Sequence, residues 1–164
     1  MTASSPTTGF AFSSIPGTYS HLRLVVQARA NGSSEVDFFS IRLNGDTGAN
    51  YDRANLEGSG GTASTNPVSG ATAWNSQTLV ANSATANMPA MLILDLLNYA
   101  KTVFYKIGQI TTGYLDMPTS TSDYNVLIEN VIWRNTAAVT AINVFPFTGP
   151  NFVTGSSAQL YGIL

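Results

Sequence analysis

The chain has no cysteine and only one histidine, His21, among its 164 residues. Without thiols it cannot form disulfide bonds or use a cysteine nucleophile, and one histidine cannot supply the several His or Cys ligands of a zinc site. A histidine-based triad would have to use His21, yet no serine lies in a G-x-S-x-G turn that presents a nucleophile. We interpret His21 as a residue at the rim of a sheet, and we predict that the protein is not an enzyme.

Charged residues are also scarce, at 10% of the chain with a formal net charge of −2, against about 25% in ordinary globular proteins. This balance gives no electrostatic basis for binding nucleic acid or an anionic membrane. Because few charges remain for the outside, much of the surface must be neutral, and neutral surfaces promote association. Assembly interfaces carry few charges at their centres, so the composition favours an oligomer over a monomer.

Targeting segments and nucleotide motifs are absent from the sequence too. The first ten residues, MTASSPTTGF, have neither the basic nor the apolar region of a signal peptide. The longest apolar stretch, residues 88–97, contains Pro89 and Asp95 and is too short to cross a bilayer. No G-x-x-x-x-G-K loop and no strand–G-x-G-x-x-G–helix unit occurs. We therefore predict a soluble protein, made in the cytoplasm, that uses no cofactor.

Apolar and polar residues alternate in short runs along most of the chain, which predicts β-strands separated by Gly, Pro and Asn turns. Residues 91–97 are apolar on both faces and fit a buried central strand better than the alternative of a helix. A further loop is predicted from Gly113 through Pro118 to Asp123. The pattern predicts an all-β, antiparallel two-sheet β-sandwich, jelly-roll-like, with eight or nine strands. The predicted strands are residues 10–15, 21–30, 37–43, 72–80, 91–97, 102–110, 124–134, 137–147 and 158–163.

Two segments outside the regular strands are predicted to be exposed. Residues 1–9 have the composition of a flexible N-terminal arm, followed by a single sandwich domain over residues 10–164. Within that domain residues 44–71 are small, polar and glycine-rich, which predicts a long loop, with one or two helical turns over residues 51–57. Surface excursions of this kind often carry contacts. The predicted partner-binding residues are Thr2, Ser4, Pro6, Asn44, Asp46, Tyr51 and Arg53.

Weak candidates for a calcium site lie in the same loop, where oxygen-bearing side chains recur at short intervals. A calcium loop counted from Asp46 places Glu57 at the twelfth position, where a bidentate acid belongs. The sixth position, however, is Tyr51 where the loop requires glycine. We therefore expect no metal, and we keep these residues only as weak candidates: Asp46, Asn50, Asp52 and Glu57.

Aromatic and buried acidic residues offer the remaining candidates for chemistry. Trp74 and Tyr114 are candidates for stacking on the sugar rings of a glycan, although alternating strands favour core positions for tryptophan. Asp95 lies in the apolar run and is the carboxylate expected to be buried, paired with Lys101 or an arginine. A structural ion pair fits it better than a catalytic acid.

Three stretches of the sequence stand out, in this order: FSSIPGTYSHLRL, IRLNGDTGANYD and TAAVTAINVFPFTGPNFVTGSSAQLYGIL. Together they resemble a family of small virion proteins of tailed bacteriophages. Members of that family carry a close version of S-I-P-x-T-Y-x-H-L, then R-x-N-G-D-T-G-x-N-Y, and end in L-Y-G-I. The resemblance extends from Phe12 to Ile163, and this chain has Leu43 where the family often has phenylalanine.

The resemblance implies a structural component of the virion, assembled in the host cytoplasm. One form is a capsid decoration (cement) protein that sits as a homotrimer on the outer capsid lattice and contacts the major capsid protein or other virion proteins. The alternative is a tail or tail-fibre component that recognises a host-surface glycan. A sandwich preceded by only a short arm favours decoration, because fibre proteins usually carry an attachment segment and shaft ahead of the tip domain.

Overall fold

A computed structural model describes residues 1–115 and 124–164, and every regular element in these ranges is a β-strand. No helix in this part of the chain is long and apolar enough to cross a membrane. The strands are β1 (Phe10–Phe12), β2 (His21–Ala28), β3 (Val36–Leu43), β4 (Tyr51–Ser59), β5 (Thr62–Ser64), β6 (Val68–Ala71), β7 (Trp74–Val80), β8 (Ala90–Leu97), β9 (Lys106–Leu115), β10 (Tyr124–Trp133), β11 (Ile142–Pro146) and β12 (Ser157–Ile163).

The strands form two antiparallel sheets that pack against each other. The small sheet has four strands in the order β1-β11-β3-β7. The large sheet has eight, in the order β12-β2-β8-β9-β10-β4-β5, with β6 also paired to β4. Apolar side chains from the facing sides fill the space between the sheets. The predicted all-β antiparallel sandwich is therefore confirmed.

The strand count is higher than the eight or nine that the sequence predicted. The three unpredicted strands, β4, β5 and β6, all lie within residues 44–71, so the long loop and the helical turns over residues 51–57 are wrong. β4 was missed because three of its inward positions are the polar residues Arg53, Asn55 and Glu57. No apolar alternation marks such a strand, and its pairing with β10 along its whole length holds it in the sheet.

Several predicted boundaries shift. The strand predicted over residues 102–110 begins at Lys106 and continues to Leu115, so Gly113 belongs to β9 rather than to a loop. The rest of that predicted loop, around Pro118 and Asp123, lies outside the described residues. β8 is a central strand, as predicted, since it lies between β2 and β9.

The first nine residues lie against the sandwich rather than forming the free arm that the sequence predicted. The N–H of Ala3 donates to the Ser156 carbonyl at 2.9 Å, and Thr7 exchanges backbone hydrogen bonds with Phe152. The α-amino group of Met1 donates to the carbonyl of Ala158 at 2.7 Å. Ala3 is buried, so these residues do bury surface, which their polar composition did not reveal.

A polar cluster lies between the two sheets. The guanidinium of Arg53 on β4 donates to the carboxylate of Glu129 on β10 at 3.0 Å, and the hydroxyl of Ser76 on β7 donates to the other carboxylate oxygen. The Glu129 side chain is fully buried and that of Arg53 nearly so. Burial raises the pKa of Glu129, although the Ser76 hydrogen bond and the Arg53 charge act in the opposite direction.

Removing the cation of this cluster should destabilise the fold. Arg53→Met leaves a buried carboxylate without its partner, and we expect the free energy of unfolding at neutral pH to fall by about 3 kcal/mol. The pKa of Glu129 is raised in the folded state, so the protonated carboxyl group favours folding. This contribution to stability is complete below the ordinary pKa of a glutamate and is lost as pH rises through the folded-state pKa of Glu129. The loss in Arg53→Met should therefore shrink in acid, as measured by urea unfolding at about pH 4 and pH 7.

Two further variants serve as controls for this experiment. Arg134→Met breaks an ion pair with Asp52 in which both side chains are partly exposed, and it should lower the free energy of unfolding much less than Arg53→Met does. The double variant Arg53→Met/Glu129→Leu removes both charges together and should recover most of the stability that Arg53→Met loses. Equal destabilisation by Arg53→Met at both pH values would contradict the assignment to the uncompensated carboxylate.

Candidate functional site

The predicted calcium candidates Asp46 and Asn50 serve a turn rather than an ion. One carboxylate oxygen of Asp46 accepts the N–H of Gly48 at 2.8 Å; the other accepts the Asn50 amide at 2.9 Å and the Trp133 indole N–H at 2.7 Å. Partial burial by itself would raise the pKa of Asp46. The hydrogen bonds from Asn50, Trp133 and Gly48 outweigh this effect and hold that pKa below its ordinary value.

The other two calcium candidates have hydrogen-bond partners different from those of Asp46, and they lie far from each other. Asp52 accepts hydrogen bonds from the Ser69 hydroxyl and from Arg134, and Glu57 accepts the amide of Asn125 at 2.5 Å. Five residues of extended strand place Asp52 and Glu57 about 17 Å apart along β4. Within the described ranges, no three His, Cys, Asp or Glu side chains are grouped closely enough to hold a metal ion. The structure thus does not assemble the calcium candidates into one site.

The Asn44-Gly45 turn carries the chain from the small sheet to the large one. Both residues have positive φ, at 52° and 68°, and the N–H of Asp46 closes the turn on the Leu43 carbonyl at 3.0 Å. The Asn44 side chain accepts hydrogen bonds from the backbone of residues 140 and 141 and donates to the carbonyl of residue 138. Asn44 therefore ties two loops of this chain together.

Two of the predicted partner-binding residues are inside the protein, so that prediction is wrong for them. Tyr51 is fully buried, and its hydroxyl lies 3.0 Å from the N–H of Leu43 and 3.2 Å from the Asp46 carbonyl. Arg53 is bonded to Glu129, as described above. The remaining predicted contacts with exposed side chains stay predictions: Thr2, Ser4, Pro6 and Asn44.

The predicted glycan-stacking residues do not form an exposed aromatic platform. Trp74 is 1% exposed, its indole N–H donates to the Ile132 carbonyl at 3.1 Å, and Tyr51 meets it edge-on at 5.5 Å between ring centroids. Tyr114 is half-buried and packs against the core. Stacking of a sugar on Trp74 is therefore excluded, and the core alternative is correct for this residue.

The predicted buried carboxylate, Asp95, instead lies on the surface. It pairs with Arg23 through two hydrogen bonds of 2.7 and 2.8 Å, so an arginine partner is confirmed but burial is wrong. Among the described residues, Asp37 and Glu129 are the buried acids. Asp37 accepts three backbone N–H groups, including that of Gly149 at 2.7 Å, and so holds two loops in place.

The side of the large sheet that faces away from the small sheet carries an unusual number of exposed apolar side chains; we call it the outer face. Because directly paired residues of antiparallel strands point to the same side, the register aligns these side chains in rows across β12, β2, β8, β9, β10 and β4. The exposed apolar residues of the outer face are Leu56, Met91, Leu97, Ile107, Leu115, Val126, Ile128, Ile132, Tyr161 and Ile163.

The outer face is broad. Six strands about 4.8 Å apart, with four outward rows about 6.8 Å apart, give it a footprint of roughly 800 Å², polar positions included. One row across it is polar, because the register aligns Arg23, Asp95, Gln109 and Asn130, and most of the exposed apolar side chains lie on either side of this row. Large exposed apolar patches mark interaction sites. Near its centre Arg23 and Asp95 pair with each other, and at its edge His21 accepts the N–H of Asn98 at 3.1 Å. His21 is thus a rim histidine, as predicted.

An exposed segment, Val103–Tyr105, extends the outer face at one end; we call it the apolar tip. Its three side chains are 74%, 79% and 55% exposed. Lys106 fixes its base, because the buried ammonium donates to the carbonyls of Phe104 at 3.2 Å and Thr136 at 2.9 Å. Burial lowers the pKa of Lys106. The sequence did not predict the apolar tip, because the alternation of residues 102–110 is also the pattern of a strand.

Removing the Tyr51 hydroxyl should weaken the fold and change its response to alkali. Tyr51→Phe leaves the buried N–H of Leu43 without this acceptor, which should cost about 1–2 kcal/mol of unfolding free energy. Burial raises the pKa of Tyr51 from 10.0 to about 12, so its contribution is present below pH 10 and is lost as pH rises through 12.

The measurement is urea unfolding of the wild type and Tyr51→Phe between neutral pH and pH 12. The variant should lack the share of alkaline destabilisation that Tyr51 causes. Tyr19→Phe, which alters an exposed tyrosine, is the matched control and should follow the wild-type curve. Identical pH dependence of the wild type and Tyr51→Phe would contradict the role given to the buried hydroxyl.

Comparison with known proteins identifies no relative. No protein-family model, no curated protein and no solved structure matches this chain.

Proposed function

We propose that this protein is a non-catalytic structural component of a tailed-bacteriophage particle, specifically a decoration protein that binds the outer capsid lattice as a homotrimer. The observation that carries the proposal is the outer face. It presents ten exposed apolar side chains on one side of the large sheet, and the footprint of that side, polar positions included, is comparable to the roughly 800 Å² that one partner contributes to a standard interface. Such a surface suits permanent burial against protein.

The sequence resemblance supports the choice of a phage particle, and the fold shows how its three stretches are connected. The N–H of Ile15, in the first stretch, donates to the Thr140 carbonyl in the third at 3.0 Å. The N–H of Asn44, in the second stretch, donates to the Ala141 carbonyl, also in the third, at 2.9 Å. The three stretches thus meet at one end of the small sheet. Their contacts are those of a shared fold rather than of a reaction centre.

The internal use of the buried polar groups also supports a structural role. Glu129 and Asp37 are both buried, and their oxygens accept hydrogen bonds from this chain's own Arg53, Ser76 and backbone N–H groups. A catalytic acid must reach a substrate, whereas these acids lie between the sheets or under loops. Their chemistry is that of strand and loop positioning.

The mechanism of this function is mechanical. Each copy covers apolar surface of its neighbours, and several contacts per assembly raise the effective concentration for every further contact. The exposed side chains of Thr2, Ser4 and Pro6 project from a segment that is already hydrogen-bonded beside β12. Contacts made through this segment to capsid subunits would lose little backbone entropy on binding.

The copy number of the protein in purified particles tests the proposal. Symmetry of the capsid lattice requires on the order of hundreds of copies of a decoration protein, measured by quantitative mass spectrometry of purified virions against a labelled standard. The major capsid protein, measured in the same digest, is the internal reference. Roughly a dozen copies would replace decoration by the tail alternative. Absence from purified virions would overturn the virion assignment altogether.

A further inference from the structure

The apolar tip has the properties of an interface anchor. It presents three consecutive large apolar side chains to solvent, two of them aromatic. The chain on its N-terminal side is fixed by Tyr99, which is fully buried and whose hydroxyl donates to the Pro16 carbonyl. Lys106 fixes its C-terminal side. A pre-ordered aromatic segment loses little conformational entropy when it is buried, and aromatic residues dominate the binding energy of interfaces.

A groove lies beside the tip on the same outer face. It has a volume of about 470 Å³ and is lined on its apolar side by Leu97, Ile107 and Ile163, and on its polar side by residues that include Arg23 and Asp95. The tip of the same chain does not line this groove; it borders a neighbouring cleft of about 420 Å³ that shares Leu97 and Ile107. The groove is therefore open to a segment of another molecule.

The chemistry of the groove matches that of the tip. Aliphatic walls accept the rings of Phe104 and Tyr105, each of which can bury about 150–250 Å². The guanidinium of Arg23 offers a cation to an aromatic face. Asp95, at the groove, provides an acceptor for the Tyr105 hydroxyl. A tip of mixed aliphatic and aromatic character fits such a site better than a charged segment does.

A second copy of this chain is the occupant that size and charge favour. The outer face around the groove has a footprint of roughly 800 Å², which leaves room for the share that one partner supplies in a standard interface. The central charges, Arg23 and Asp95, neutralise each other, so a second copy meets no excess of like charge on this surface. Both the protruding segment and its receptor are present in every copy.

We infer that copies of this chain associate by inserting the apolar tip of one copy into the outer-face groove of the next. This inference rests on the homo-oligomeric part of the proposed function and names the surface that forms it. In the homotrimer of the proposed function this contact is heterologous: each copy gives its tip to one neighbour and receives the tip of the other, and a rotation by a third of a turn closes the ring. In such a trimer every tip and every groove is occupied.

The test measures the mass of the full-length chain by sedimentation velocity over a range of concentrations. The wild type should sediment as a trimer. Phe104→Ser removes the anchor of the tip, and Ile163→Arg places a second cation beside Arg23 in the groove. Each variant should weaken association about tenfold or more. Phe147→Ser is the matched control, because Phe147 is exposed but lies after β11, away from the outer face, and this variant should remain trimeric.

A mixing experiment distinguishes tip-in-groove contact from simple loss of apolar area. Phe104→Ser retains an intact groove, and Ile163→Arg retains an intact tip. Mixed together, they should form one-to-one dimers that do not close into trimers, since only one good contact is possible per pair. Circular dichroism spectra equal to that of the wild type, with cooperative urea unfolding, verify that both variants fold.

The remaining outcomes separate this inference from the proposed function. A wild type that is monomeric up to its solubility limit would overturn both the homotrimer and the tip-in-groove contact. An oligomeric wild type that is unaffected by Phe104→Ser and Ile163→Arg would overturn the contact and leave the proposed homo-oligomer standing. Loss of association in both variants without dimers on mixing would overturn the heterologous geometry.

Discussion

The register of β10 between β9 and β4 decides which side chains of the large sheet are buried and which form the outer face. In the observed register Leu127, Glu129 and Val131 point towards the small sheet, while Ile128 and Ile132 point outwards. A slip by one residue would exchange the two sets. Both sets are largely apolar, so hydrophobicity alone distinguishes the two registers only weakly. Something polar must specify the choice.

Two polar contacts at defined positions on β10 supply that specification. Glu129 meets Arg53 of β4 and Ser76 of β7, and the Trp133 indole meets Asp46 at the turn that begins the crossing to β4. Each partner lies on a different segment, so a shifted strand would leave buried donors and acceptors unpaired at high cost. The buried ion pair is therefore best understood as a device that fixes the register.

The sequence predicted nine strands, most of them because apolar and polar residues alternate, and alternation is the direct signature of a half-buried strand. It did not reveal β4, whose inward positions include Arg53 and Asn55, since a polar inward face resembles a loop. The sequence did not reveal that Glu129 is buried, and it wrongly suggested that Asp95 is. Both errors have the same cause. In strands that are apolar on both sides, nothing in the sequence says which side carries the acid into the core.

The outer face shows a second limit of sequence reasoning. Residues 91–97 were predicted to be buried on both sides, yet Met91 and Leu97 are exposed in the single chain. A strand covered by another copy and a strand covered within its own fold have the same composition, because the same apolar burial stabilises both. The prediction of a buried strand and the observation of an exposed one agree if a second copy covers this side of the sheet.

The distribution of basic residues explains why association would depend on apolar area. Of the seven lysines and arginines, six donate hydrogen bonds to carboxylates or carbonyls of their own chain: Arg23, Arg29, Arg42, Arg53, Lys106 and Arg134. Three of these cations, Arg23, Arg53 and Arg134, are paired with carboxylates, and opposite charges in contact cancel most of each other's long-range field. What remains for a partner is neutral surface, whose attraction is short-ranged and grows with the area covered. A chain that carries its cations in this way associates by shape and apolar contact. The rows of the outer face and the apolar tip meet that requirement.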